Sequence, residues 1–129
     1  HPEHIYAALR IHHSIRNFLG EEDCKKYQLV EIGGGYGGLA YWIRSLGKIA
    51  THSYTIIDLP MMNVIQGYFL SKAFCPSEVC LFGESPTEEA IFHVLPTISF
   101  EVLNHKIDIL ITLISDLFIK IPANVNSIT

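Results

Sequence analysis

The run Leu29-Val30-Glu31-Ile32-Gly33-Gly34-Gly35-Tyr36-Gly37-Gly38 constrains this chain more than any other stretch. Its first four residues read as the end of a buried strand. Five glycines in six positions follow, and an apolar periodicity of helical type begins directly after them. A strand, a glycine-rich turn and a helix in that order form a nucleotide-binding corner.

The flanking chain fits such a corner. Residues 2 to 19 read as a helix, with Pro2 in the first turn, Ile5, Leu9, His12, Ile15 and Phe18-Leu19 on one stripe, and Gly20 as a stop. A polar connection through Lys26 completes a helical lead-in over 1–26, and Tyr27 to Ile32 is the first strand. Leu39, Trp42, Ile43 and Leu46 recur at helical spacing, and Gly47 suits a left-handed helix terminus. His52 to Asp58 is a second strand, rich in β-branched and aromatic residues. Pro60 opens a second helix carried by Met61-Met62, Ile65, Tyr68-Phe69 and Ala73, and Glu78 to Gly83 is a third short strand.

Residues 84 to 106 support two readings. Ser85-Pro86-Thr87-Glu88 has the form of a helical capping box, yet Ile91-Phe92-His93-Val94-Leu95 is equally good strand material. The near-continuous apolar run from Ile107 to Ser115 suits a central parallel strand, and 116–129 carries too little pattern to assign. The order predicts one α/β domain over 1–129, a Rossmann-like parallel sheet with right-handed crossovers and helices on both faces.

Composition limits the partners. Nine basic and thirteen acidic residues give a net charge of −4 with no basic run, which argues against nonspecific nucleic-acid binding. No apolar run reaches the roughly 18 residues of a membrane span and no signal peptide is visible, so a cytoplasmic location is expected. The chain opens on His1 rather than Met, and trimming at that end is expected. Cys24, Cys75 and Cys80 lack a zinc spacing and read as reduced thiols. Hydrophobic residues at 49% and charged residues at 17% imply strands buried on both faces, or a surface that meets something outside this sequence.

Three ligands compete for the glycine corner. A P-loop needs Lys-Ser/Thr after the last glycine, and Leu39-Ala40 stands there instead. A dinucleotide site needs Gly-x-Gly-x-x-Gly, which Gly33, Gly35 and Gly38 satisfy, with Asp58 at the distance of the ribose-binding acid. S-adenosylmethionine carries an ammonium and no pyrophosphate, so its site wants an acid near the ammonium as well as a carboxylate for the ribose. Glu31, two residues before the first glycine, fits the first role and Asp58 the second. A carboxylate next to a pyrophosphate would repel it, so Glu31 discriminates between the two ligands.

At these residues the sequence resembles a family. Val30 to Gly38 looks like the first motif of class I S-adenosylmethionine-dependent methyltransferases, and Ile56-Ile57-Asp58-Leu59-Pro60 is similar to the Asp-Leu-Pro segment of many O-methyltransferases. Together with Ile65 to Ala73, the pattern is most like bacterial sugar O-methyltransferases. The resemblance spans roughly residues 28 to 115. It implies that Glu31 meets the methionine ammonium through water and that Gly33, Gly34, Gly35, Tyr36 and Gly37 line the methionine part. It further implies that Asp58 binds the ribose hydroxyls with Leu59 beside the adenosine, that Gly83, Glu84 and Ser85 approach the adenine, and that Thr112 to Ser115 end the strand at the floor of the reaction site.

Two departures stand beside the resemblance. Ser115-Asp116-Leu117-Phe118-Ile119 lacks the Glu-Met element that the family places after the fourth strand, and the class has seven strands where this chain supplies about four. The chain is therefore expected to be the N-terminal half of such a fold. Its fourth strand is expected to be an apolar edge that pairs with another chain, is covered by 116–129, or belongs to a longer protein.

The function expected is methyl transfer from S-adenosylmethionine to a hydroxyl of a small acceptor such as a sugar. A non-catalytic or truncated remnant and an NAD(P)-dependent oxidoreductase are the alternatives. Plainer roles exist for the same residues: Glu31 as a strand-end acid, Asp58 as a charge at a helix N-terminus, and Tyr36 as packing rather than a lid. None of the seven histidines has a metal-ligand spacing, and nothing in the sequence selects His12 or His13 as a general base.

Overall fold

The structure, a computed structural model, describes residues 2–20, 26–102, 107–113 and 117–120. In chain order the elements are α1 (Pro2–Leu19), β1 (Tyr27–Ile32), α2 (Gly38–Leu46), β2 (Thr51–Asp58), α3 (Pro60–Ala73), β3 (Val79–Leu81), β4 (Phe92–Pro96), β5 (Ile109–Leu113) and β6 (Leu117–Lys120). They form one sheet in the order β3-β4-β2-β1-β5-β6. The first five of these strands run parallel, and β6 is antiparallel to β5. The α/β, Rossmann-like parallel sheet is thus present.

The chain winds outward from β1 through β2 to β4 and β3, then returns to lay β5 on the other side of β1. This reversal at β1 is a topological switch point, and folds of this type place ligands beyond the carboxyl ends of the strands there. The glycine run leaves β1 at that end.

Side-chain alternation divides the sheet into two unequal faces. Leu29, Tyr54, Ile56, Phe92, Val94, Ile109 and Ile111 point to one face and form a single cluster with Ala8, Ile11 and Ile15 of α1, Leu39, Ala40 and Ile43 of α2, and Leu70 of α3. Val30, Ile57 and Leu110 point to the other, where they cluster with Ile107. Among the described residues no α-helix packs on that second face, which corrects the expectation of helices on both. The reason lies in the route. The connections holding α2 and α3 both step outward in the same direction, so a common hand places both helices on one side. The connection that returns from β4 to β5 carries a 3-10 segment, Thr97–Val102, instead of an α-helix.

Several boundaries fall where local chemistry puts them. Gly20 (φ +76°) and Gly47 (φ +63°) end α1 and α2 in the left-handed region. The stripe that α1 buries is Ala8, Ile11 and Ile15, whereas Leu9 and Phe18, expected inside, are exposed. A small residue at position 8 lets the helix lie close to its neighbours and turns the bulkier Leu9 outward.

Residues 84 to 106 resolve in favour of the strand reading for Phe92–Pro96, which pairs with both β2 and β3. The Ser85-to-Glu88 capping box opens no helix: Ser85 to Thr87 have no regular structure and Glu88 begins a turn. Of the three outcomes expected for the apolar edge of β5, cover by the 116–129 stretch is the one present: β6 pairs with it within the chain, with Leu113 opposite Leu117. No helix among the described residues is long and apolar enough to cross a membrane.

Candidate functional site

The register of β1 against β2 builds the base of the site. Leu29 lies opposite Tyr54 and Glu31 opposite Ile56, so Tyr54 and Glu31 occupy diagonal positions on the helix-covered face. Glu31 is fully buried there, and the Tyr54 hydroxyl donates to its Oε1 at 2.9 Å. Its other oxygen, Oε2, is buried without a hydrogen-bond partner among the described residues. A buried polar oxygen lacking a partner is expensive, and such atoms are few in folded proteins. Burial pushes the Glu31 carboxyl up to about 7, the Asp58 charge adds to the rise, and the Tyr54 hydrogen bond works against it. Tyr54 is itself pushed well above its ordinary value, first by burial and then by the Glu31 charge, so it stays a donor.

The glycine loop folds directly over this carboxyl. Gly33 N–H donates to the Ile57 carbonyl of β2 at 2.9 Å, and Gly37 N–H donates to the Gly34 carbonyl at 3.0 Å. A Cβ on Gly34 would lie 2.7 Å from Ile56 Cγ2 and 3.0 Å from Glu31 Oε1. Only glycine allows the backbone to sit this close to the acid. Gly35 has φ +56° and is exposed at the outer bend of the loop. Gly37, at φ +101°, precedes α2 and supplies no side-chain cap.

Tyr36 does not stand over the loop. Its ring meets Phe69 of α3 edge-on at 5.1 Å, and its hydroxyl is 3.1 Å from His4 Nδ1 of α1. Burial lowers the His4 pKa below its usual value. Of the two roles open to Tyr36, this geometry is that of packing, since the ring ties the loop to α1 and α3.

Asp58 ends β2, half-buried. Its Oδ1 accepts the Leu59 N–H at 2.8 Å and its Oδ2 accepts from Gln66 Nε2 at 2.9 Å. Leu59 is 60% exposed beside it. Past Asp58 an apolar groove of about 470 Å³ opens between the start of α3 and the ends of β3 and β4, walled by Pro60, Val64, Phe82, Val94, Pro96 and Ile98. Gly83, Glu84 and Ser85, expected to approach the adenine from the end of the third strand, are exposed on the turn after the outer strand β3. Glu84 closes that turn, accepting the Leu81 N–H at 3.0 Å. The strand beside β2 is β4, so the residues that follow Asp58's neighbour in the sheet are Pro96 to Ile98. Thr112 is in β5, beside Ile32 of β1; residues 114 and 115 lie outside the described residues.

Gln66 was missed by the sequence reading. It is fully buried, and its Nε2 donates to the Gly35 carbonyl at 2.7 Å as well as to Asp58. A signal existed: Asn63 and Gln66 are amides three residues apart on the inward stripe of an apolar helix, and a polar residue there needs a partner.

The corner therefore brings together Glu31, the glycine loop and Asp58, with an apolar groove beyond, and keeps Tyr36 and Gly83–Ser85 at its margins. Comparison of the chain with family models, with curated proteins and with solved structures gave no match in any of the three.

Proposed function

We propose that this corner binds S-adenosylmethionine and that the chain is an O-methyltransferase, or part of one, acting on a hydroxyl of a small acceptor such as a sugar. The observation that carries the reading is Glu31 Oε2, buried under the glycine loop with no hydrogen-bond partner among the described residues. An anionic pyrophosphate beside it would be repelled, whereas an ammonium group, directly or through water, would satisfy it. The remaining donor set fits as well. Gly33 to Gly37 would carry the methionine part, Asp58 the ribose hydroxyls, and the groove walled by Pro60, Val64, Pro96 and Ile98 the adenine.

When bound, S-adenosylmethionine supplies an electrophilic methyl group on its sulfonium. The residues of this chain bind and orient. Glu31 offers charge to the ammonium, Asp58 fixes the sugar, and the apolar groove excludes water from one side of the adenine. Catalysis of this kind rests mainly on positioning the two reactants.

Calorimetric titration with S-adenosylhomocysteine and, separately, NAD tests the reading. Binding of the first alone is expected. Binding of NAD instead would overturn it in favour of an oxidoreductase, and binding of neither would leave a nucleotide corner that has lost its ligand.

A further inference from the structure

We propose that Gln66 is a positioning residue that holds the two limbs of this site, the glycine loop and the Asp58 carboxylate, as one unit. The inference rests on the donor-site reading above for its ligand, but the clamp itself is a property of the ligand-free chain.

Burying a primary amide costs free energy unless its donors and acceptor are satisfied. Gln66 meets that demand with groups that belong to the site. Nε2 donates to the Gly35 carbonyl at 2.7 Å and to Asp58 Oδ2 at 2.9 Å, while Oε1 accepts from Asn63 Nδ2 at 3.1 Å. A carbonyl and a carboxylate can only accept, so the amide has one workable orientation and both its protons are committed. The bond to Asp58 is charge-assisted, the stronger kind.

Each bond sets a direction that a ligand would feel. The peptide joining Gly35 to Tyr36 is planar and trans, so turning the Gly35 carbonyl toward α3 turns the Tyr36 N–H away from it. At φ +56° Gly35 has glycine's wide conformational freedom, and the Gln66 bond removes much of it. At Asp58, a carboxylate offers about four lone-pair sites. Gln66 takes one on Oδ2 and the Leu59 N–H takes one on Oδ1, which leaves one on each oxygen. Two free sites on one fixed plane match the two hydroxyls of a vicinal diol. Gln66 thus fixes where an amino-acid end and a ribose end must sit relative to each other, without touching either.

The test compares S-adenosylhomocysteine with 5′-methylthioadenosine, which keeps the ribose and lacks the amino-acid end, in wild type and Gln66→Met. Loss of the clamp should weaken S-adenosylhomocysteine about 10- to 100-fold and methylthioadenosine several-fold less, narrowing the wild-type preference. Unchanged affinity, or equal weakening of both ligands, would overturn the inference. In Gln66→Glu an ionised carboxylate would face Asp58 and the Gly35 carbonyl, with Glu31 the next acid in reach. Its affinity relative to wild type should therefore recover as pH falls from 8 to 5.5 and the new carboxyl regains a proton to donate. A flat ratio counts against the clamp.

If wild type binds neither ligand, the donor reading fails while the clamp is still judged by amide exchange. The Gly37 amide should exchange at least about tenfold faster in Gln66→Met with the β1 and β2 amides unchanged, and equal exchange refutes it. Should Gln66→Met not fold, Asn63→Ala removes the anchor of the Gln66 amide from a half-buried position. It carries the same comparison with a change of a few-fold, and no change there refutes the clamp.

Discussion

Two acids stand at the ends of adjacent strands in this molecule, in opposite surroundings. Glu31 is fully buried beneath the glycine loop with one oxygen accepting from Tyr54 and the other without a partner among the described residues. Asp58 is half-buried, with one donor on each oxygen, from Leu59 and Gln66. The difference separates two uses of a carboxylate. Asp58 is fixed in place by its neighbours and keeps a defined acceptor geometry. Glu31 is held where its charged form is unfavourable, so if an ammonium fills the corner as proposed, its ionisation and the filling of the site are coupled.

The strongest way to break this comparison is the pH dependence of stability. The folded chain keeps a proton on Glu31 up to about pH 7, whereas the unfolded chain releases it near the ordinary value of 4.5. Between those values the folded state binds more protons, so stability falls as pH rises and the loss is complete above pH 7. The window corresponds to about 3 kcal/mol. Urea titrations at pH 5 and pH 8 should show this loss in wild type relative to Glu31→Gln, and equal slopes in the two proteins would mean Glu31 is not held near neutrality. By the same logic, affinity for S-adenosylhomocysteine should rise from pH 6 to pH 8.

Next in size is Gly34→Ala. The added methyl meets Ile56 and the Glu31 carboxyl, and crowding of this kind costs about 1–3 kcal/mol. A denaturation midpoint indistinguishable from wild type would show that the loop does not press on the acid. Tyr54→Phe removes the donor to Glu31 Oε1 at a cost of about 1–2 kcal/mol. Because that bond lowers the Glu31 pKa, its loss should move the carboxyl titration to higher pH, as read by carbon NMR of the labelled side chain. A downward shift would reverse the assigned role of the hydroxyl.

The last change falls on the other acid. Asp58→Ala gives up the bonds to the Leu59 N–H and to Gln66 Nε2 and leaves that buried amide short of an acceptor, at about 1–3 kcal/mol. The same variant should weaken S-adenosylhomocysteine by about 1–3 kcal/mol. Weak folding and unchanged binding would invert the expected pattern and remove the ribose assignment.

Much of this corner was legible because its signals are local. Gly20 and Gly47 end helices by backbone conformation, Pro60 starts one by its fixed φ, and β1 and β2 follow from their aliphatic, β-branched and aromatic residues. The stretch from 84 to 106 was not legible, because Ser85 to Glu88 and Ile91 to Leu95 carry opposite local preferences. The choice between them was made by the open edge of β2, which Phe92–Pro96 fills. The stripe of α1 also shifted, since Leu9 and Ala8 are both acceptable to a periodicity and only packing selects the smaller one.

By itself the sequence determined a strand, a glycine turn and a helix with an acid on each of two neighbouring strands, since residue types within a few positions suffice for each of these. Tertiary structure alone decided which strand lies beside β2, that α1, α2 and α3 share one face, and that Gln66 joins Gly35 to Asp58. Those are contacts between residues as far apart in the chain as Tyr54 and Phe92. No local preference encodes them, because they depend on how the whole sheet is ordered and on which buried polar groups are left needing a partner.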